Sequence, residues 1–161
     1  DIGACYKGYH GDSAWTYPVG EISDEKKRLL KTTEESLMAG FKMMREGNTL
    51  DMVGKAIEEV ANRETLGIVR QYGGHGVGHV MHEDPFVFNY STGNQTVLKS
   101  GMTIAVEPML NLGCDDVEVL PDNWGVKTVD NKASAHFEHT IWVTDDEPVF
   151  LTALDNGKFV G

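Results

Sequence analysis

The sequence predicts an α+β domain, an antiparallel sheet covered on one face by two long helices. Apolar side chains recur at helical spacing between residues 23 and 60. The segments before and after read as short strands broken by glycine-rich turns, and no linker, low-complexity stretch or internal repeat divides the 161 residues. That length is one domain, residues 1–161, long enough to bury roughly two-thirds of the surface its unfolded chain exposes.

Residues 1–19 read as a β-hairpin. Ile2 to Tyr6 is small and strand-compatible, Lys7-Gly8 supplies the turn, and Tyr9 to Val19 returns. Ser23 caps the first helix, with Asp24 and Glu25 favourable at its positive end. Leu30, Thr33, Leu37, Phe41 and Met44 form its apolar stripe and Gly47 ends it. Asn48 or Thr49 opens the second helix, whose inner face is Met52, Val53, Ala56, Ile57 and Val60. Both stripes are core packing. The expected strands beyond residue 66 are 68–72, 102–107, 109–113, 116–120, 125–128 and 136–143, with an extended piece near 148–151. Pro108 marks an edge or bulge between two of them.

The composition excludes several classes of function. A formal charge of −11 repels nucleic-acid phosphates. No apolar run approaches the ~20 residues of a membrane span, and the start does not resemble a signal peptide, so the expected location is cytoplasmic. Cys5 and Cys114 have no paired spacing and read as buried or half-buried reduced thiols.

Five candidate metal ligands, Asp1, Asp12, His75, Glu107 and Glu138, fall in five segments read as strand or strand edge. Four carboxylates and one imidazole suit a pair of hard divalent ions rather than a structural zinc. Asp1 and Asp12 lie on opposite arms of the hairpin, which folds them together. Taken alone, Asp12 reads equally as a bulge residue bonding its own backbone. The run Gly73-Gly74-His75-Gly76-Val77-Gly78-His79-Val80-Met81-His82 is too glycine-rich for a helical His-x3-His site. It reads as extended or irregular, so one histidine is free to ligate while another meets substrate; the alternative is a glycine turn with surface histidines. Glu107 closes a strongly apolar strand, where a carboxylate is costly unless paired. By alternation Glu138, Thr140 and Trp142 share one face of their strand, and Phe137, His139, Ile141 and Val143 the other. Either glutamate alone also reads as a surface residue.

Taken in order, Tyr9-His10-Gly11-Asp12, Gly74-His75-Gly76-Val77-Gly78, His82-Glu83-Asp84-Pro85, Gly101-Met102-Thr103, Glu107-Pro108-Met109, Trp124-Gly125-Val126-Lys127-Thr128 and Glu138-His139-Thr140 resemble the C-terminal, metal-binding portion of the type I methionine aminopeptidases of the pita-bread fold. The resemblance implies that Asp1 ligates one ion and His75 and Glu107 the other, with Asp12 and Glu138 bridging. It implies that Glu107 takes the proton of the bridging water and that His82 polarises the scissile amide. His75, His82, Met81 and Trp124 would meet substrate, the last two lining a methionine side-chain pocket. The cofactors implied are two divalent ions, Co, Mn or Fe, with Zn also admissible. The substrates are N-terminal segments of nascent polypeptides, favoured when the second residue is small.

Met81 and His79 stand where the family often has an aromatic residue and an arginine. The chain starts at its first ligand, without the family's N-terminal portion and its second substrate-contacting histidine. The expectation is therefore a partial catalytic domain, weakly active or inactive alone, completed by a missing N-terminal segment or by self-association. Two other readings stand beside it: a proline-directed (X-Pro) metallopeptidase of the same fold, and a binding module of that fold without catalysis.

Overall fold

A computed structural model describes residues 1–153; residues 154–161, the end of the expected domain, lie outside the described residues. The chain opens on a hairpin, β1 (Ile2–Tyr6) and β2 (Tyr9–Ala14), and then runs through two helices, α1 (Asp24–Met43) and α2 (Leu50–Arg63). Ten short strands follow: β3 (Gly67–Ile68), β4 (Gly74–Gly76), β5 (Glu83–Val87), β6 (Thr103–Val106), β7 (Met109–Asn111), β8 (Val117–Val119), β9 (Val126–Thr128), β10 (Ser134–His136), β11 (Glu138–Trp142) and β12 (Val149–Phe150).

The expected α+β class holds, and the expected hairpin turn forms. Lys7 and Gly8 adopt φ of 51° and 84°, the left-handed pair that matches the twist of a two-residue connection. Ser23 caps α1 as expected, its hydroxyl accepting from the Lys26 amide at 3.4 Å. The helix stops at Met43 rather than running to Gly47. Tertiary backbone partners capture the segment in between: Glu46 donates to the Thr144 carbonyl at 3.2 Å and Gly47 to that of Leu98 at 3.0 Å.

The buried faces of both helices are rotated slightly from the expected stripes. Leu29, Thr33, Leu37 and Gly40 point inward from α1, and Val53, Gly54, Ile57 and Val60 from α2, while Met52 faces solvent. Glycine decides the second rotation. A Cβ on Gly54 would sit 2.3 Å from the Tyr90 carbonyl oxygen, so only a bare backbone lets α2 approach the segment after β5. The core joins these residues to Ile104, Val106, Leu110, Phe137, Ile141 and Val143 from the sheet.

Among the described residues the main sheet is antiparallel in the order β1-β2-β11-β6-β4-β5, with β12 beside β11. A three-stranded sheet, β10-β7-β3, and the β8-β9 pair complete it. The expected strand 136–143 therefore does not exist as one element. It breaks at Phe137, and the expected pair 102–107 and 109–113 breaks at Pro108. At these breaks β6 and β11 of the main sheet give way to β7 and β10 of the smaller one. One register spans both breaks, His139 opposite Val106 and His136 opposite Met109, and the Phe137 amide donates to the Pro108 carbonyl at 3.3 Å. Two strands thus change sheets at the same level. Of the other expected strands, 68–72 shrinks to Gly67–Ile68, while β4 forms in the run read as extended or irregular and β5 adds a strand beyond those expected.

Gly54→Ala is expected to destabilise the fold by about 1–3 kcal/mol through overpacking, with each kcal/mol lowering the thermal midpoint by roughly 2–4 °C in a chain of this size. Thermal unfolding followed by circular dichroism measures it. A raised midpoint, as helix propensity alone would give, would show that the backbone at Tyr90 yields freely.

Candidate metal centre

The sheet order brings the expected ligands into one row. Asp1 immediately precedes β1, Asp12 lies on β2, Glu138 starts β11, Glu107 follows β6, His75 is central in β4 and His82 immediately precedes β5. The register shared by the two sheet-changing strands places Glu138 opposite Glu107. His75 pairs with Ala105 of β6, two residues before Glu107. Flush packing of those strands needs glycine, since a Cβ on Gly74 would lie 2.1 Å from the Ala105 carbonyl oxygen.

Three overlapping groups result, in each of which one donor atom per residue lies within 4.8 Å of the others: Asp1, Asp12 and Glu138; His75, Glu107 and Glu138; Asp12, His75 and His82. Asp12 is held by a threonine clamp. The Thr140 hydroxyl accepts from the Asp12 amide and donates to the Asp12 carbonyl, both at 2.9 Å. The Glu107 carbonyl accepts from the Asn89 side-chain amide at 3.0 Å. His75 Nδ1 lies 2.9 Å from the Gly76 carbonyl. A carbonyl only accepts, so Nδ1 carries a proton and Nε2 is the ring nitrogen left to face the carboxylates. That nitrogen faces carboxylate oxygens of Glu107 at 3.6 Å and Asp12 at 3.7 Å.

Such an arrangement calls for a cation. Glu138 is 1% exposed. Burial first, then the neighbouring Glu107 and Asp12 charges, push its carboxyl up to about 9. Asp12 Oδ1 and Glu138 Oε1 are buried and have no hydrogen-bond partner, an expensive condition for carboxylates. Carboxylate oxygens converging on one point are what hard divalent ions satisfy. The residues present therefore fit the binding of divalent metal.

Two open cavities flank Glu107. One, of about 520 Å³, is bordered by Tyr72, His75, His82 and Phe86. The other, of about 490 Å³, is bordered by Asp1, Tyr72, Met109, Trp124 and His136. The His82 ring is exposed and its centroid lies 4.3 Å from that of His75. The side chain of Met81 lies over Gly3, the register partner of Asp12. Trp124 is 89% exposed and stands on the wall of the second cavity.

Sequence reasoning missed Tyr72, shared by both cavities, and His136, whose Nε2 lies 3.4 Å from the second Glu107 oxygen. Alternation along 136–143 puts His136 on the face of Glu138, and that signal was available. The expected burial of Cys5 is wrong: every residue of β1 is exposed, Cys5 included, because nothing pairs with its outer edge among the described residues.

A family model described as metallopeptidase family M24 matches residues 1–145. Methionine aminopeptidase 1 of Bacillus subtilis is 52% identical over 155 residues, 96% of this chain and 62% of the relative. Methionine aminopeptidase 1 of Mycobacterium tuberculosis is 46% identical over 94% of this chain and 60% of the relative. The crystal structure of methionine aminopeptidase from Rickettsia prowazekii superposes with a TM-score of 0.92 at 39% identity, covering 94% of this chain and 62% of that one. The chain thus spans about three-fifths of the length of these relatives.

The Glu138 carboxyl generates a pH test. Its folded value of about 9 lies above the ordinary 4.5, so between those values the folded chain holds more protons there than the unfolded chain. Stability without ions therefore falls as pH rises across that window. In chelator, Glu138→Gln is expected to unfold at a higher temperature than the parent at roughly pH 8 and to converge with it near pH 4, where the parent carboxyl is protonated in both states. Equal midpoints at the higher pH would remove the burial argument.

Proposed function

The chain belongs to metallopeptidase family M24, and from that premise we propose that it carries the two-ion centre of a methionine aminopeptidase, which hydrolyses N-terminal methionine from nascent polypeptides. The observation that carries this reading is the overlap of the three ligand groups. Asp12, His75 and Glu138 each belong to two of them, and no group joins Asp1 to His75 or Glu107. Ligands of one ion at bond lengths of about 2.0–2.3 Å lie within roughly 4.6 Å of one another. Asp1, Asp12 and Glu138 would hold one ion and His75, Glu107 and Glu138 a second, with Asp12 also grouped with His75. Oxygen-rich donors with a single imidazole suit Mn, Fe or Co, with Zn also admissible.

When bound, such a pair supplies Lewis acidity and a water nucleophile near neutral pH. The chain's own groups supply the rest. Glu107, between both cavities, takes the proton of the attacking water and returns it to the leaving amine. His82, exposed at the cavity rim beside His75, donates to the carbonyl oxygen of the scissile amide as charge develops there. The clamp on Asp12 and the Nδ1 proton of His75 fix ligand orientation before substrate arrives. Trp124 borders the second cavity and would meet the methionine side chain there, with Met81, over Gly3, closing in from the β1 side. No helix among the described residues is long and apolar enough to cross a membrane, and nascent chains as substrates put the activity in the cytoplasm.

Because the relatives are longer and the outer edge of β1 is exposed, this chain by itself is weakly active or inactive. Purified chain with Mn²⁺ or Co²⁺ is expected to release methionine from a Met-Ala peptide far more slowly than a full-length relative, and to leave an Ala-Pro peptide intact. Preferential cleavage of Ala-Pro would move the assignment to the proline-directed peptidases. Absence of any ion site tighter than millimolar would favour a non-catalytic binding module.

A further inference from the structure

Glu107 has two carboxylate oxygens, and each faces a histidine. Oε1 is 3.6 Å from His75 Nε2 and Oε2 is 3.4 Å from His136 Nε2. His75 belongs to the ligand groups. His136 belongs to none of them, so among the candidate ligands its ring meets Glu107 and stops there. Its Nε2 is buried and has no hydrogen-bond partner, so the 3.4 Å approach to Oε2 is a near contact poised to close into a bond.

The placement of His136 is as constrained as that of a ligand. The Thr16 hydroxyl accepts from the His136 amide at 3.0 Å and donates to its carbonyl at 2.8 Å. Thr140 grips Asp12 in the same two-handed way. His136 also pairs in register with Met109, two residues beyond Glu107, across the point where both strands change sheets. Backbone clamp and register therefore fix the ring relative to the carboxylate. The ring is not filler: its side chain is 25% exposed and borders the cavity shared by Asp1 and Glu107.

We propose that His136 is a positioning residue for Glu107: its Nε2–H holds Oε2, so that Oε1 alone is presented to the ion beside His75. A carboxylate restrained in this way binds through one oxygen and keeps its plane fixed. Without the donor, Glu107 rotates about its terminal torsion, which has no strong preference of its own, and both affinity and coordination geometry change. His136 also borders the cavity that Asp1 and Glu107 share.

The inference rests on the two-ion reading above, and the experiment separates the two. Mn²⁺ affinity of the full chain is measured by calorimetry, and coordination by the visible absorption of bound Co²⁺, for the parent, His136→Phe and His136→Gln, with thermal midpoints in chelator recorded alongside. His136→Phe is expected to weaken Mn²⁺ binding about tenfold and to alter the Co²⁺ bands, while His136→Gln, which keeps a donor, recovers to within about threefold of the parent. Should His136→Phe not fold, His136→Ala serves the same comparison, because the ring borders open space. A Phe or Ala variant with parental affinity and parental Co²⁺ bands overturns the proposal, and so does a Gln variant as weak as Phe. A parent that binds no Mn²⁺ overturns the two-ion reading and this role with it.

Discussion

The structure turns on one electrostatic constraint, the forced meeting of Glu107 and Glu138 where two antiparallel strands leave one sheet for another. Their opposition is a matter of backbone register, so side-chain rotation relieves it only in part. Inside a protein, like charges at such range repel far more strongly than in water. Asp12 adds a third carboxylate and Asp1 a fourth. No lysine or arginine is ion-paired to any of the four among the described residues; the N-terminal ammonium of Asp1 offsets the Glu138 charge only in part. The compensation must come from protons or from bound ions.

Much of the fold serves to keep that repulsion from dispersing itself. Thr140 closes on the backbone of Asp12 and Thr16 on that of His136, which denies both strands the small shifts that would separate the acids. Asn89, fully buried, holds the carbonyl of Glu107 in the same manner. The helices contribute at one remove. By burying Ile104, Val106, Phe137 and Ile141 against Leu37, Val53 and Ile57, they fix β6 and β11 from behind. Alternation then leaves Glu138 and Thr140 facing the centre.

Much of this was legible in the sequence, and the rest was not for identifiable reasons. Glycines around His75 signalled close backbone approach, and Gly74 against Ala105 is that approach. Acids at the ends of apolar runs signalled an unusual environment, and Glu138 occupies one. The break at Phe137 was hidden because β10 and β11 both alternate plausibly, and only the partner strand shows where pairing passes from one sheet to the other. The helix end at Met43 was hidden for a similar reason. Competing partners at Thr144 and Leu98 come from sequence too distant for any local pattern to register. Alternation put His136 on the face of Glu138, but only the register shows that Glu107 is the residue its ring meets.

The same geometry explains why metal binding and folding are bound to be linked in this chain. With Glu138 protonated, the ion-free centre is tolerable but incomplete, because Asp12 Oδ1 and Glu138 Oε1 are buried without partners. Under the two-ion proposal a dication would displace that proton and satisfy both oxygens together, so its binding free energy would add to the stability of the sheet crossing. A scaffold that kept the acids apart would fold with less strain and would offer a cation fewer oxygens. The repulsion that the register imposes on Glu107 and Glu138 is thus the same feature that makes the cluster a candidate site for a hard cation.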